Sequence, residues 1–274
     1  MNPAEFETIV QSEGDHWWFR GMRNILFGML DPVASKHVAA RVLEAGSGTG
    51  YMANLLEERY GWRMFVTDLA WEGLAKTPKN AGLIPIQADI TASPFCDGVF
   101  DALISLDVLI HLKVGEEIRA IEEFARVLRP GGLLVVRVAA LKVLRSRHSE
   151  FIEERQRFTR RRLVREISAS GFRILRCTYA NSFLLPVALA KFRFWEPLIP
   201  HGPRSGTQPV GRWLNQFLYL PLAMEAILLS RGLNLPLGQS LILLAQKGSS
   251  KQENENEQAL TPGCPAPDGD PNGD

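Results

Sequence analysis

Nine residues limit what this chain can fold into more than any others: Val42, Leu43, Glu44, Ala45, Gly46, Ser47, Gly48, Thr49 and Gly50. Three glycines stand at alternate positions behind an apolar run, and Met52, Leu55 and Leu56 then recur at helical spacing. This order predicts a buried strand, a tight turn and the start of a helix. Glycine is needed where the backbone takes positive φ, or where something must approach it with no Cβ in the way. An open α/β sheet places its ligand there, beyond the carboxyl end of the strand.

The spacing also narrows the ligand. A dinucleotide fingerprint would have its last glycine at the position of Tyr51. The third glycine therefore comes one residue early, which argues for a ligand without a pyrophosphate. Eighteen residues after Gly50, Asp68 stands near the end of a second strand predicted over residues 63–69. A carboxylate at that tip can accept hydrogen bonds from both hydroxyls of a ribose.

Together with Ala88, Asp89 and Ile90, residues 100–112 and residues 125–132, these stretches resemble the class I S-adenosylmethionine (SAM)-dependent methyltransferases. A generic Rossmann-like domain with another nucleotide ligand is the alternative. The resemblance implies SAM as cofactor, held by Glu44, Gly46, Ser47, Gly48, Gly50, Asp68, Leu69, Asp89, Ile90, Leu106 and Asp107. It also implies that Asp89 accepts from the adenine amino group while Ile90 packs on the ring. The structural alternative is that Asp89 caps its turn through Thr91.

The strands at 42–45 and 63–69 are followed by 83–89, by an almost wholly apolar 100–106, and by 133–138. Apolar content of this kind suits strands covered on both faces. Residues 114–128 predict a helix with Ile118, Ile121, Ala125 and Leu128 on its buried face, stopped by Pro130, Gly131 and Gly132. Residues 172–179 and 240–247 complete seven strands. The fold class is thus α/β: a doubly wound, Rossmann-like, mostly parallel sheet with helices on both faces and a helical insertion before the last strand.

Five segments follow from this: an N-terminal helical lid (1–40), a SAM-binding domain (41–181), an apolar helical insertion (182–236), the last strand (237–247) and a disordered acidic tail (248–274). The tail sets Lys251 alone against six acids, so it holds −5 and the rest of the chain holds +6 of the overall +1. With four prolines and little to bury, it predicts disorder. In the lid, His16, Trp17, Trp18, Phe19 and Arg20 resemble the start of one bacterial methyltransferase subgroup. His16, Trp17, Trp18 and Arg20 either close over the pocket or pack on the edge of the domain.

Residues 145–165 contain eight arginines interleaved with Glu153 and Glu154. They read as a solvated helix face, with binding to phosphate or an anionic surface as the minor alternative. Glu154 and Gln156 replace a His and an Arg that the resembled subgroup often has, which weakens any anion-binding role. Nucleic acid is not expected, because no aromatic platform accompanies the basic run. In the insertion, the apolar stretches 183–195 and 213–229 fall short of the roughly 18 to 20 apolar residues of a membrane span. They could form a substrate chamber, lie in a membrane interface, or pack as core or a dimer contact.

Cys96, Cys177 and Cys264 form no metal-ligand spacing and no paired framework, so no metal is expected and a reducing compartment is. Glu5, Glu7, Glu13 and Asp15 without an apolar run argue against an export signal. The expected location is cytoplasmic, with peripheral contact at the inner membrane face through 182–236. Methyl transfer is an in-line displacement that needs positioning and exclusion of water. Transfer to oxygen would also need a base, for which His111, just beyond the fourth strand, is the candidate. The expected acceptor is a small or lipid-linked molecule. A non-catalytic partner subunit or membrane-surface module that keeps the fold is the reading from a different class. Acceptor identity and oligomeric state are not legible.

Overall fold

A computed structural model describes residues 4–34, 41–80, 82–198, 202 and 205–248. The predicted disordered tail lies outside the described residues except for Gly248. In chain order, α1 (Ala4–Ser12) and α2 (Trp17–Ala34) precede β1 (Arg41–Ala45), α3 (Tyr51–Tyr60), β2 (Arg63–Asp68), α4 (Trp71–Leu74) and β3 (Leu83–Gln87). Then come β4 (Phe100–Leu106), α5 (Glu116–Val127), β5 (Leu128–Ala139), α6 (Arg147–Phe151), α7 (Arg160–Ala169) and β6 (Phe172–Ala180). Last are α8 (Leu185–Ala190), a π-turn (Lys191–Trp195), α9 (Glu196–Leu198), α10 (Arg212–Ser230) and β7 (Ser240–Lys247).

The seven strands lie in the order β3-β2-β1-β4-β5-β7-β6. The first five are parallel, and β7 runs antiparallel to both β5 and β6. The order reverses between β1 and β4, where an open sheet leaves a crevice at its carboxyl edge. Residues on alternate sides of each strand feed two cores. Val42, Ile104 and Val135 meet Ile25, Leu26, Met29, Ala53, Leu56, Leu222 and Leu229 from α2, α3 and α10. Leu43, Leu103 and Leu134 meet Ile121, Phe124, Leu163 and Ile167 from α5 and α7. Each such aliphatic side chain removed from water contributes roughly 1.5–3 kcal/mol.

Glycine lets α2 and α10 approach closely. A Cβ at Gly21 would stand 2.3 Å from Leu222 Cδ1 and 2.5 Å from Leu222 Cβ, and one at Gly28 would stand 3.2 Å from the Ala226 carbonyl. Asn24 donates to the Tyr219 hydroxyl between these two contacts.

Two local expectations need correction. In α5 the buried face is Glu117, Ala120, Ile121, Phe124 and Val127, while Ile118 is exposed and Ala125 half-buried. The helix therefore sits rotated from the predicted face, because Glu117 turns inward to meet Arg162 and Gln156. The helix also ends at Val127, before Pro130. Leu128 is already extended and pairs with Phe100, and the register shifts between Phe100 and Ala102. Gly131, at φ +77, and Gly132 sit at this irregularity, and a Cβ on Gly132 would fall 2.9 Å from the Arg129 carbonyl. No helix among the described residues is long and apolar enough to cross a membrane.

Candidate cofactor site

The turn after β1 is tied to the tip of β2. The N–H groups of Gly46 and Ser47 both donate to the Thr67 carbonyl at 2.8 Å, and the Thr67 hydroxyl donates back to the Glu44 carbonyl. Gly46, Gly48 and Gly50 all take positive φ, at 80°, 59° and 71°. Side chains at Gly46 and Gly50 would run into Val108 and Thr77, so those two positions exclude a Cβ outright. Gly48 differs, since a Cβ there would meet only the Phe6 ring, at 3.8 Å. Its N–H donates to Asp68 at 2.8 Å, and the other oxygen of Asp68 accepts from Ala70. The carboxylate is thereby fixed at the tip of β2.

Glu44 lies behind the turn with 2% of its surface exposed and one carboxyl oxygen without a hydrogen-bond partner. Burial raises its pKa from 4.5 to about 8, and repulsion from Asp68 adds to the shift, while the Ala53 backbone and Arg137 oppose it. A buried carboxyl with an unused oxygen beside a glycine turn suits a cationic ligand group. Ser47 also has a buried hydroxyl without a partner. At the tip of β3, Ala45, Thr67, Ala88, Asp89 and Ile90 line a small cavity. One oxygen of Asp89 takes both the N–H and the hydroxyl of Thr91, which is the capping alternative. Its other oxygen is not used by that turn. Leu69 is 67% exposed and Leu106 half-buried. These features fit SAM: a glycine turn with no side chain over its backbone at three positions, an unused buried oxygen at Glu44 and a fixed acid at Asp68.

Beyond β4, Asp107 takes φ +59 and accepts from the Arg137 guanidinium at 2.8 Å. The same guanidinium lies over the Trp18 ring at 5.2 Å, joining α2 to the carboxyl edge of the sheet. Trp17 N–H donates to Asn215, and Arg20 lies over the Tyr219 ring, so both hold to α10. His16 is buried, its pKa pushed down to about 4, and it accepts from the Trp18 N–H. The residues that reach the glycine turn lie elsewhere in the lid. Phe6 on α1 is 1% exposed against Gly48 and Gly73, and Glu13 accepts from the Thr49 hydroxyl at 2.6 Å. Sequence reasoning missed both, since neither belongs to the aromatic segment that drew attention.

His111 ends a short turn over residues 109–111, with both ring nitrogens buried. Burial lowers its pKa, while the Glu153 backbone, Asp107 and Glu154 pull it up. The turn that bears it is braced by residues read earlier as departures. Gln156 is buried and donates to the Leu109 and Leu112 carbonyls and to Glu117. Glu154 is buried too, and takes both arms of Arg157. So Arg157 and Arg162 belong to an internal network, and the solvated-face reading holds only for exposed neighbours such as Arg160, Arg161 and Arg165.

Residues 43–136 match the family described as "Methyltransferase domain". The chain is 30% identical over 130 residues to a probable S-adenosylmethionine-dependent methyltransferase of Mycobacterium tuberculosis, covering 47% of this chain and 45% of that protein. It is 33% identical over 136 residues to a demethylmenaquinone methyltransferase of Mycolicibacterium gilvum, covering 47% and 51%. The chain thus spans about half the length of these curated relatives. Among solved structures, a geranyl diphosphate methyltransferase in complex with SAM aligns with a TM-score of 0.53 at 14% identity, over 80% of this chain and 82% of that one. Residues 43–136 therefore match a methyltransferase domain, and S-adenosylmethionine is the cofactor this match supports.

Proposed function

We propose that the protein transfers a methyl group from SAM to a small or lipid-linked acceptor, at an oxygen atom, by in-line displacement. The observation that supports it best is the placing of Gly48, Asp68 and the unused oxygen of Glu44 around one turn. When bound, SAM supplies a methyl group made electrophilic by its sulfonium. In this reading Gly46, Ser47, Gly48 and Gly50 give backbone access to the methionine part, and Glu44 faces its cationic end. Asp68 and Leu69 hold the ribose, Asp89 and Ile90 the adenine, and Leu106 and Asp107 border the transfer site.

The lid residues His16, Trp17, Trp18 and Arg20 exclude water from that site through their packing on Arg137 and α10. His111 takes the acceptor's proton. Burial keeps its imidazole neutral at physiological pH, which is the form a base requires. The relative named for demethylmenaquinone supports a small-molecule acceptor. An apolar tail on that acceptor would bring the protein to the inner membrane face through residues 182–236, as a peripheral contact of an otherwise cytoplasmic protein. The same five segments, with 1–40 as lid and 182–236 bounding the acceptor, complete the arrangement.

Incubating the purified protein with methyl-labelled SAM and a panel of polar-lipid and quinol extracts tests the proposal. Label in an apolar-tailed hydroxyl compound is expected. SAM binding without transfer to any acceptor would instead leave a SAM-binding partner subunit.

A further inference from the structure

The outer side of α10 is built unlike a helix that ends in water. Trp213, Phe217, Leu220, Met224 and Ile227 are all exposed, with Trp213 at 82%. They step by four, three, four and three residues. At 3.6 residues per turn they form one stripe, about 21 Å long, within the nineteen-residue helix. Leu222, Glu225, Ala226 and Leu229 on the opposite side are buried. So α10 is apolar on both faces while only one is covered. Contiguous exposed apolar surface of this length marks a contact surface.

The charges around the stripe indicate what covers it. Arg212 opens the helix, Arg231 follows its last turn, and both are exposed. The only acid in the helix is Glu225, which is fully buried and accepts from the Phe183 N–H. Between Trp213 and Ile227 the stripe is interrupted by no charged side chain. Pairing two copies of α10 through this stripe would set arginine against arginine in either direction. Antiparallel helices would bring Arg212 to Arg231, and parallel ones would bring each to itself. Positive ends with no exposed acid complement a negatively charged surface instead. The preceding segment repeats the composition, with exposed Phe194 and Trp195 beside exposed Lys191 and Arg193. Trp213 stacks on Phe217 with parallel rings 5.9 Å apart, and indole rings are favoured at the depth of lipid headgroups.

We propose that the outward face of α10 docks on an anionic lipid bilayer, lying in the interface with its stripe among the acyl chains and Arg212 and Arg231 at the phosphates. This deepens the peripheral contact of the proposed function and rests on that reading. The inner face of α10 holds α2, whose Trp18 covers Arg137, so the docked helix is two packing steps from the transfer site.

Co-sedimentation of the full chain with phosphatidylcholine vesicles, with and without phosphatidylglycerol, tests the surface. Wild type should bind the anionic vesicles, more weakly at high salt, with a blue shift of tryptophan emission. Phe217→Glu with Met224→Glu should weaken binding by about tenfold or more without disturbing the buried side. Arg212→Gln with Arg231→Gln should weaken it about tenfold and remove much of the salt dependence. Circular dichroism and a SAM titration on the same preparations confirm that each variant is folded. Wild type that binds SAM but no anionic vesicle overturns the docking surface alone. Equal vesicle binding by the Phe217/Met224 variant also overturns it. So does a wild-type dimer in sedimentation velocity that this variant dissolves, because the face would then belong to a second copy.

Discussion

Replacing Glu44 by Gln should remove one buried carboxyl's share of the pH dependence of stability. In the unfolded chain this carboxyl ionises near 4.5, and in the folded protein burial holds its proton until about pH 8. Below pH 4.5 the group is protonated in both states and contributes nothing. As pH rises from 4.5 to 8 the folded state retains a proton that the unfolded state has released, so stability falls; above 8 the loss is complete and constant. At 1.36 kcal/mol per pKa unit, the interval from 4.5 to about 8 corresponds to about 5 kcal/mol, of which about 3 kcal/mol is lost by pH 7. Gln avoids this loss but carries an amide N–H₂ into a site where one carboxyl oxygen already lacks a partner, at a cost of about 1–3 kcal/mol. The variant should therefore be less stable than wild type at pH 5, by up to about 2 kcal/mol, and more stable at pH 9, by about 2–4 kcal/mol. Urea unfolding of ligand-free protein at five pH values between 5 and 9 measures both ends. The two stability curves should cross. A difference between wild type and variant that stays constant over this range would refute a raised Glu44 pKa. If Glu44 faces a cationic ligand group, SAM binding to wild type at pH 7 should also release close to one proton. That release is read from calorimetry in buffers of different ionisation enthalpy and should vanish in the variant.

Three further outcomes follow from the same geometry. Asp68→Ala removes the acceptor of the Gly48 and Ala70 N–H groups and should weaken SAM binding by calorimetry about tenfold or more, at about 1.5–3 kcal/mol per charge-assisted bond. His111→Ala should lower kcat by about 10²–10⁴-fold while leaving the SAM Kd unchanged, and wild-type kcat/KM should rise with pH to a plateau, with its midpoint below that of an ordinary imidazole because burial lowers the His111 pKa. Gly21→Ala forces a methyl group onto Leu222 at 2.3–2.5 Å and should destabilise the protein by about 1–3 kcal/mol in urea melts, with Gly211→Ala as a control, where a Cβ meets nothing and φ is −54.

Legibility in this chain follows the range of the forces involved. The glycine turn and the seven strands were readable because apolar runs, helical spacing and the φ demands of Gly46, Gly48 and Gly50 act within a few residues. The face of α5 was not, because Glu117 looks like a solvent residue until Arg162, forty-five positions later, brings its guanidinium to 2.6 Å. A charge turned inward by a distant partner leaves no trace in local periodicity. The same holds for Gln156, whose side chain braces the His111 turn across more than forty residues. In the lid, attention went to three consecutive aromatics, yet the ring that covers the glycine turn is Phe6, which stands alone in a short helix. Aromatic runs advertise themselves, whereas a single aromatic is decided by where its helix lands. The insertion shows the converse. Its two apolar stretches were legible, but which side of α10 is covered depends on α2 arriving through Gly21 and Gly28. Only once that side is filled does the stripe from Trp213 to Ile227 become surplus apolar surface rather than core, and it is this surplus that gives the insertion a testable role.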